Sequence, residues 1–283
     1  MAYPKILTVQ DISCVGQCSL TVALPIISAC GIETCVLPSA VLSTHTAGFK
    51  GYTFRDLTDD MPDICAHWQK EGISFDAVYT GYLGSTKQIE YVKNILSTVK
   101  KSDGYAVVDP AMADNGKLYT GFTPEFAAEM RTLCASADLL LPNLTEAYYL
   151  LGKGDAYRTD LTRAELEDLL KELAEIGAGK VMLTGAELHP GRIGALLYDA
   201  KTGTFDLAET EKLPAQFHGT GDLFASAVAG AMISGRSVPD AMALAVDYVA
   251  EVMKETLADP DHVWYGVNFE SAFPWLFRRL YGN

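Results

Sequence analysis

Positive charge is scarce in this chain. Its 283 residues hold 22 Lys and Arg against 36 Asp and Glu, a formal net charge of −14, and its only adjacent arginines are Arg278 and Arg279. Nucleic-acid binders carry a basic face, so the expectation is no nucleic-acid partner and no acidic membrane surface. Any anionic ligand must be gripped locally, by helix N-termini or a metal ion, against an unfavourable overall field. Long apolar runs are missing too: none approaches the ~18 residues of a bilayer span. The opening MAYPKILTVQDISCVG has one Lys before a short apolar stretch broken by Asp11, a poor signal peptide and a good first strand. Low-complexity tracts, internal repeats and Pro/Gly/Ser linkers are absent. With 49% hydrophobic residues the chain can build a large core, which excludes disorder for most of it.

Two phosphate-binding motifs are absent as well. There is no GxxxxGK[ST], and the first strand runs into QDISCVGQCS rather than GxGxxG, so a P-loop enzyme and a dinucleotide fold are disfavoured. The six cysteines, five of them within the first 65 residues, form no CxxC. No second Cys pair or nearby His completes a zinc site around Cys14 and Cys18. Without a secretion signal they read as reduced thiols, mostly small core residues, in a cytoplasmic protein.

What is present is alternation. Short apolar runs at Lys5–Gln10, Glu33–Leu37, Ala77–Thr80, Tyr105–Val108, Leu139–Leu141 and Lys180–Thr184 read as strands. Helical spacing falls between most of them, at Thr21–Cys30, Asp56–Lys70, Thr86–Lys100, Pro124–Cys134 and Thr162–Ile176, the last opened by a Thr162/Glu165 capping box. Ile193–Tyr198 and Thr204–Leu207 read as an antiparallel hairpin, followed by helices at Asp222–Ser234, Val238–Thr256 and near Phe269–Tyr281. The pattern predicts one α/β domain over residues 1–283, a three-layer α/β/α sandwich. Its central sheet is mostly parallel with an antiparallel edge hairpin.

Ligands of such sheets bind beyond the carboxyl ends of the strands. Asp11, Gly81-Tyr82, Asp109-Pro110, Asn143 and Thr184-Gly185 all follow predicted strands, although turns favour Asp, Asn and Gly regardless of function. The sharper signal is His218-Gly219-Thr220-Gly221-Asp222-Leu223-Phe224, leading into the small-residue helix ASAVAGAM. Gly219, Thr220 and Gly221 let backbone N–H groups converge on an anion, and the helix adds its positive end. Asp222 in the first turn is an odd neighbour for a phosphate unless it accepts a proton. It suits a general base for an alcohol attacking a γ-phosphate, against the plainer reading of a helix cap.

The stretch GTGDLFASAVAG resembles the second signature of the ribokinase-like (PfkB-type) kinases. ILTVQDISCVGQCS, STHTAGFKG, TGYLGS, VVDPAM and LPNLTEA resemble segments of the pyridoxal/pyridoxamine kinase branch, with Thr44 where Asn is usual. The matches run from near residue 6 to near residue 230. The resemblance implies ATP-dependent phosphorylation of the 5′-hydroxyl of a B6 vitamer, with Asp222 as base and Gly219, Thr220 and Gly221 as anion hole. It implies nucleotide contacts from Asp109, Tyr119, Asn143, Glu146, Thr184, Gly185 and Phe224, and Mg²⁺ near Asp109 and Glu146, partly through water. It leaves a monovalent cation open. It implies vitamer contacts from Asp11, Thr46 and Tyr82, a lid at Asp114, Lys117 and Tyr119, and a homodimer.

Position 11 is a departure: Asp stands where many pyridoxal kinases carry Ser. An acid facing the pyridine would favour a protonated ring nitrogen or the amine of pyridoxamine. Hydroxymethylpyrimidine kinases also read HGTG but carry Cys at the position of Asp222, which disfavours a thiamin-pathway kinase. His45 and His218 read as loop supports. A sugar kinase of the same superfamily and a pyridoxal phosphate binding or carrier protein compete with the B6 kinase reading. An intact GTGD and NxxE argue against a pure binder, which has no need of a base.

Overall fold

Residues 3–282 are described by a computed structural model. Period-two alternation sends strand side chains to opposite faces. In the first strand Ile6 packs on one side of the sheet while Leu7 and Val9 pack on the other. Ala106 and Val108 flank an oppositely directed Val107 in the same way. Both faces are apolar, so helices must cover both.

The strands form one nine-stranded sheet in the order β11 (Thr204–Glu211), β10 (Arg192–Asp199), β9 (Lys180–Ala186), β8 (Leu139–Leu140), β5 (Lys100–Val108), β4 (Phe75–Thr80), β1 (Lys5–Ser13), β2 (Glu33–Leu42) and β3 (Phe54–Asp56). From β9 to β2 every pairing is parallel. The expected hairpin β10–β11 is antiparallel, and β3 adds a second antiparallel edge. One face carries α2 (Met61–Lys70), α3 (Thr86–Thr98), α4 (Pro124–Cys134), α5 (Leu144–Leu150) and α6 (Arg163–Ala174). The other carries α1 (Leu20–Ala29), α7 (Thr220–Ile233), α8 (Val238–Ala258) and α9 (Phe273–Tyr281). The small residues of α7 let it lie close to α1: a Cβ on Gly230 would sit 2.7 Å from the Cys30 sulfur. No helix among the described residues is long and apolar enough to cross a membrane. Cys30, Cys65 and Cys134 are buried as expected, whereas Cys14 is exposed and Cys18 and Cys35 are half-buried; none is in a disulfide.

Several boundaries differ from the sequence reading. β2 runs past Pro38, which is tolerated because it pairs Gln10 at a register slip between Gln10 and Ile12. The helix expected from Asp56 begins only at Met61, because the Asp56 carboxylate accepts from the Thr58 N–H and hydroxyl and closes a turn there. β1 extends to Ser13, so Asp11 lies within the strand, at the slip. A short helix, α5, follows Asn143 and includes Glu146, which read in sequence both as an NxxE motif and as a capping box, and a two-stranded hairpin of β6 (Ala113–Asp114) and β7 (Lys117–Leu118) occupies the segment expected as a lid.

Candidate active site

Five adjacent parallel strands, β9, β8, β5, β4 and β1, end on one edge of the sheet. At their carboxyl ends stand, in that order, Thr184-Gly185 within the last residues of β9, which runs on to Ala186 rather than stopping at Thr184, then Asn143, Asp109, Gly81-Tyr82 and the Asp11 end of β1. The residues singled out from sequence therefore share one edge, and they are ranked along it.

The GTGD loop enters this edge from α7. Gly219 has φ 84°, and a Cβ there would lie 2.2 Å from the Gln17 carbonyl oxygen, so only glycine fits beneath the 14–19 loop. No side chain caps α7, which leaves its first N–H groups directed out of the helix. A Cβ on Gly221 would meet nothing within 4 Å, nor would one on Gly185, so the backbone at both is open to an approaching group. Asp222, in the first turn, accepts a hydrogen bond from the Ser19 N–H at 3.0 Å through Oδ2. Burial pushes its carboxyl up to about 6; the Ser19 N–H opposes the rise and the Asp11 charge adds to it.

Beside it sits a pair of acids. Asn143 caps α5 by accepting from the Glu146 N–H at 2.9 Å. Glu146 answers by accepting from the Asn143 N–H at 2.8 Å, which completes a capping box. The second Glu146 oxygen accepts from the Met112 N–H at 3.1 Å, and the side chain is 2% exposed. Both oxygens of Glu146 are thus engaged by backbone. Burial raises its pKa to about 7. Asp109 accepts from the Ala111 N–H at 3.1 Å. Burial raises it well above the carboxylate range, and the nearby Glu146 and Asp222 charges raise it further. Among the described residues no group of three or more His, Cys, Asp or Glu is arranged to hold a metal ion.

The β6–β7 hairpin is tied to the start of α5. The Asn143 amide donates to the Ala113 carbonyl at 2.8 Å, and the Gly116 N–H donates to the Thr145 hydroxyl at 3.0 Å. Its turn, Asn115-Gly116, has φ 51° and 77°, the geometry that Asn-Gly favours. Tyr119 follows it, 38% exposed, with its N–H on the Met112 carbonyl.

At the β4–β1–β2 end, Tyr82 is half-buried; burial pushes its hydroxyl up to about 12, with the Asp11 charge adding to the rise. Thr46 is exposed on the loop after β2. Asp11 is buried. It accepts from the Ser13 hydroxyl at 2.9 Å and the Ser19 hydroxyl at 2.6 Å, and burial raises its pKa despite these bonds. Its oxygens are turned into the loop. His45 bonds the Tyr265 carbonyl at 2.9 Å and packs beside His218, Phe49 and Trp264, as a loop support does. Phe224 departs from its expected position: it is 7% exposed and packed in the α1/α7 core. Two neighbours gave no signal in sequence. Phe122 stacks on Tyr82 with ring centroids 5.5 Å apart and continues onto Phe126; Ser19 touches both Asp11 and Asp222.

A family model described as phosphomethylpyrimidine kinase matches residues 24–263. A pyridoxine kinase of Bacillus subtilis is 29% identical over 189 residues, 66% of each chain. The chain spans 66% of that relative's length and 46% of a bifunctional thiamine biosynthetic enzyme of Arabidopsis thaliana, which is 26% identical over 87% of this chain. Among solved structures, a Bacteroides thetaiotaomicron protein described as a phosphomethylpyrimidine kinase, crystallised with pyridoxal, is 38% identical. It superimposes with a TM-score of 0.91 over 97% of this chain and 96% of its own. A pyridoxal kinase from Lactobacillus plantarum is 31% identical, with a TM-score of 0.87 and 96% of each chain covered.

Proposed function

Since the chain belongs to the phosphomethylpyrimidine kinase family, we propose that it transfers the γ-phosphoryl group of ATP to the 5′-hydroxyl of pyridoxal, pyridoxine or pyridoxamine. The observation that carries the chemistry is Asp222: a carboxyl in the first turn of an uncapped helix, held by the Ser19 N–H, with its pKa raised to about 6. A base poised near the working pH is efficient. Asp222 takes the hydroxyl proton as the vitamer oxygen bonds to phosphorus and the bond to the β-phosphate oxygen breaks, releasing ADP. The N–H groups of Gly219, Thr220 and Gly221 hold the migrating group.

The order of the strand exits supports a division of the edge. Thr184, Gly185, Asn143 and Asp109 take the nucleotide end, with Tyr119 above; Tyr82 and Thr46 take the vitamer end, with Phe122 completing an aromatic wall for a flat ring. Mg²⁺ fits the acidic pair as an ion shared with phosphates. Asp109 lies half-buried among like charges that a divalent cation would offset, and Glu146, its oxygens taken, would act through water. Bound there, Mg²⁺ would neutralise charge on the transferring phosphoryl group. Residues 1–283 act as one domain; residues 1, 2 and 283 lie outside the described part. We further read the protein as a cytoplasmic homodimer.

Hydroxymethylpyrimidine phosphorylation is the second reading, favoured by the family description itself. ADP release with the three vitamers, hydroxymethylpyrimidine and a sugar panel, each with Mg²⁺ and with or without K⁺, tests the proposal. Turnover with a B6 vitamer is expected. Preference for hydroxymethylpyrimidine or a sugar overturns it, and pyridoxal phosphate binding with no ADP release points to a carrier.

A further inference from the structure

Ser19 departs from an ordinary serine N-cap in two ways. A capping serine has an extended backbone and accepts from an N–H in the first turn of its helix. Ser19 precedes α1, but its side chain makes no capping bond, and its φ is 55° with ψ −129°. That region suits glycine and strains other residues. Gln17, with φ 48°, strains the same loop, and Gly16, with φ 122°, turns it without strain; the loop folds back so that Ser19 bridges Ile12. Asp11 lies beside that bridge, at the register slip of β1 against β2. Slips of this kind re-aim side chains and gather near active sites.

What Ser19 does instead is join two carboxyls. Its hydroxyl donates to Oδ1 of Asp11 at 2.6 Å, and its N–H donates to Oδ2 of Asp222 at 3.0 Å. The Ser13 hydroxyl holds Oδ2 of Asp11, so the buried acid is itself fixed. We propose that Asp11 and Ser19 are positioning residues for the base. Asp11 pins the Ser19 hydroxyl, the pinned residue keeps its strained N–H on Oδ2 of Asp222, and the other Asp222 oxygen stays turned toward the attacking alcohol. Asp11 thereby acts through Ser19 rather than on the pyridine ring. The inference rests on the proposed role of Asp222 for its turnover readout, and a second readout is independent of turnover.

The experiment is a mutant cycle with a B6 vitamer and ATP. Asp11→Ala and Ser19→Ala should each lower kcat about 10- to 100-fold, the range expected when a reacting group loses its placement, with KM changing less than about threefold. The double variant should cost no more than the worse single, because the two act in series. Asp11→Asn, which keeps an acceptor for the Ser19 hydroxyl, should recover most of the loss. In an Asp222→Asn background, Ser19→Ala should have no further effect. Losses that multiply in that background, or that appear in KM alone, overturn the proposal. Independently, the Ser19 amide proton should resonate downfield in wild type and move upfield in both Asp222→Asn and Asp11→Ala. A resonance unmoved in Asp11→Ala overturns the positioning role whatever the substrate. Absence of turnover by wild type with every vitamer overturns the B6 reading and leaves the amide measurement to decide this one.

Discussion

Replacing Asp222 by Asn should stabilise the protein while disabling it. A carboxyl raised from 3.8 to about 6 is harder to ionise in the folded chain than in the unfolded one. Stability is therefore lost as pH rises from about 4 to about 6, and the full loss is present above that. The rise is equivalent to ~3 kcal/mol at most, and because Asp222 is only half-buried a realistic range is ~1–3 kcal/mol. Asn keeps the shape, and its carbonyl oxygen can still accept from the Ser19 N–H. It carries no charge to desolvate. The melting temperature at pH 7.5 should rise by about 2–5 °C for a chain of this size, with no gain at pH 4. Turnover should fall ~10²–10⁴-fold, about 2.7–5.4 kcal/mol of barrier. The fall in wild-type kcat/KM below about pH 6 should disappear from the residual rate. Calorimetry at the two pH values and ADP release across pH 5–8 measure both halves. A variant that turns over within tenfold of wild type, or that melts no higher at pH 7.5 than wild type, refutes the argument.

Gly219→Ala places a Cβ against the Gln17 carbonyl at a positive φ, so it should destabilise by more than ~1 kcal/mol and abolish turnover; denaturant melts and ADP release check both. Glu146→Gln leaves one of two backbone donors facing an amide NH₂ in a buried capping box. A loss of ~1–2 kcal/mol by thermal melt is expected, together with a raised KM for ATP. Phe122→Ala removes the ring stacked on Tyr82, an aromatic pair worth ~0.5–1.5 kcal/mol, so vitamer KM should rise about 2- to 13-fold while ATP KM holds.

The alternation of short apolar runs with amphipathic segments made the three layers legible, because burial on both faces leaves a pattern that neighbouring strands repeat. Asp109 and Asn143 could be located for the same reason, since each stands just past a strand; Thr184-Gly185 was found by the same rule, although β9 runs through both to Ala186. Asp11 was found by that rule but with the wrong surroundings, since β1 runs three residues further and its hydroxyl partners, Ser13 and Ser19, come from a folded-back loop. The strained backbone of Ser19 has no local signature, because it is imposed by contacts with β1 and α7. Phe224, in a matching motif, was expected at the nucleotide; position on its helix turns it into the core instead. The stacking of Phe122 on Tyr82 joins segments 40 residues apart, which no local pattern reports.

The sheet edge also works as a ruler. Neighbouring strands lie ~4.8 Å apart, so the five strand ends from Thr184 to Asp11 mark out roughly 19 Å. On the proposed division of the edge, a change of alcohol would need alterations only at the β4, β1 and β2 tips, while the phosphate half could stay as it is. Descendants of one such scaffold can diverge in what they modify without relearning how to handle the triphosphate.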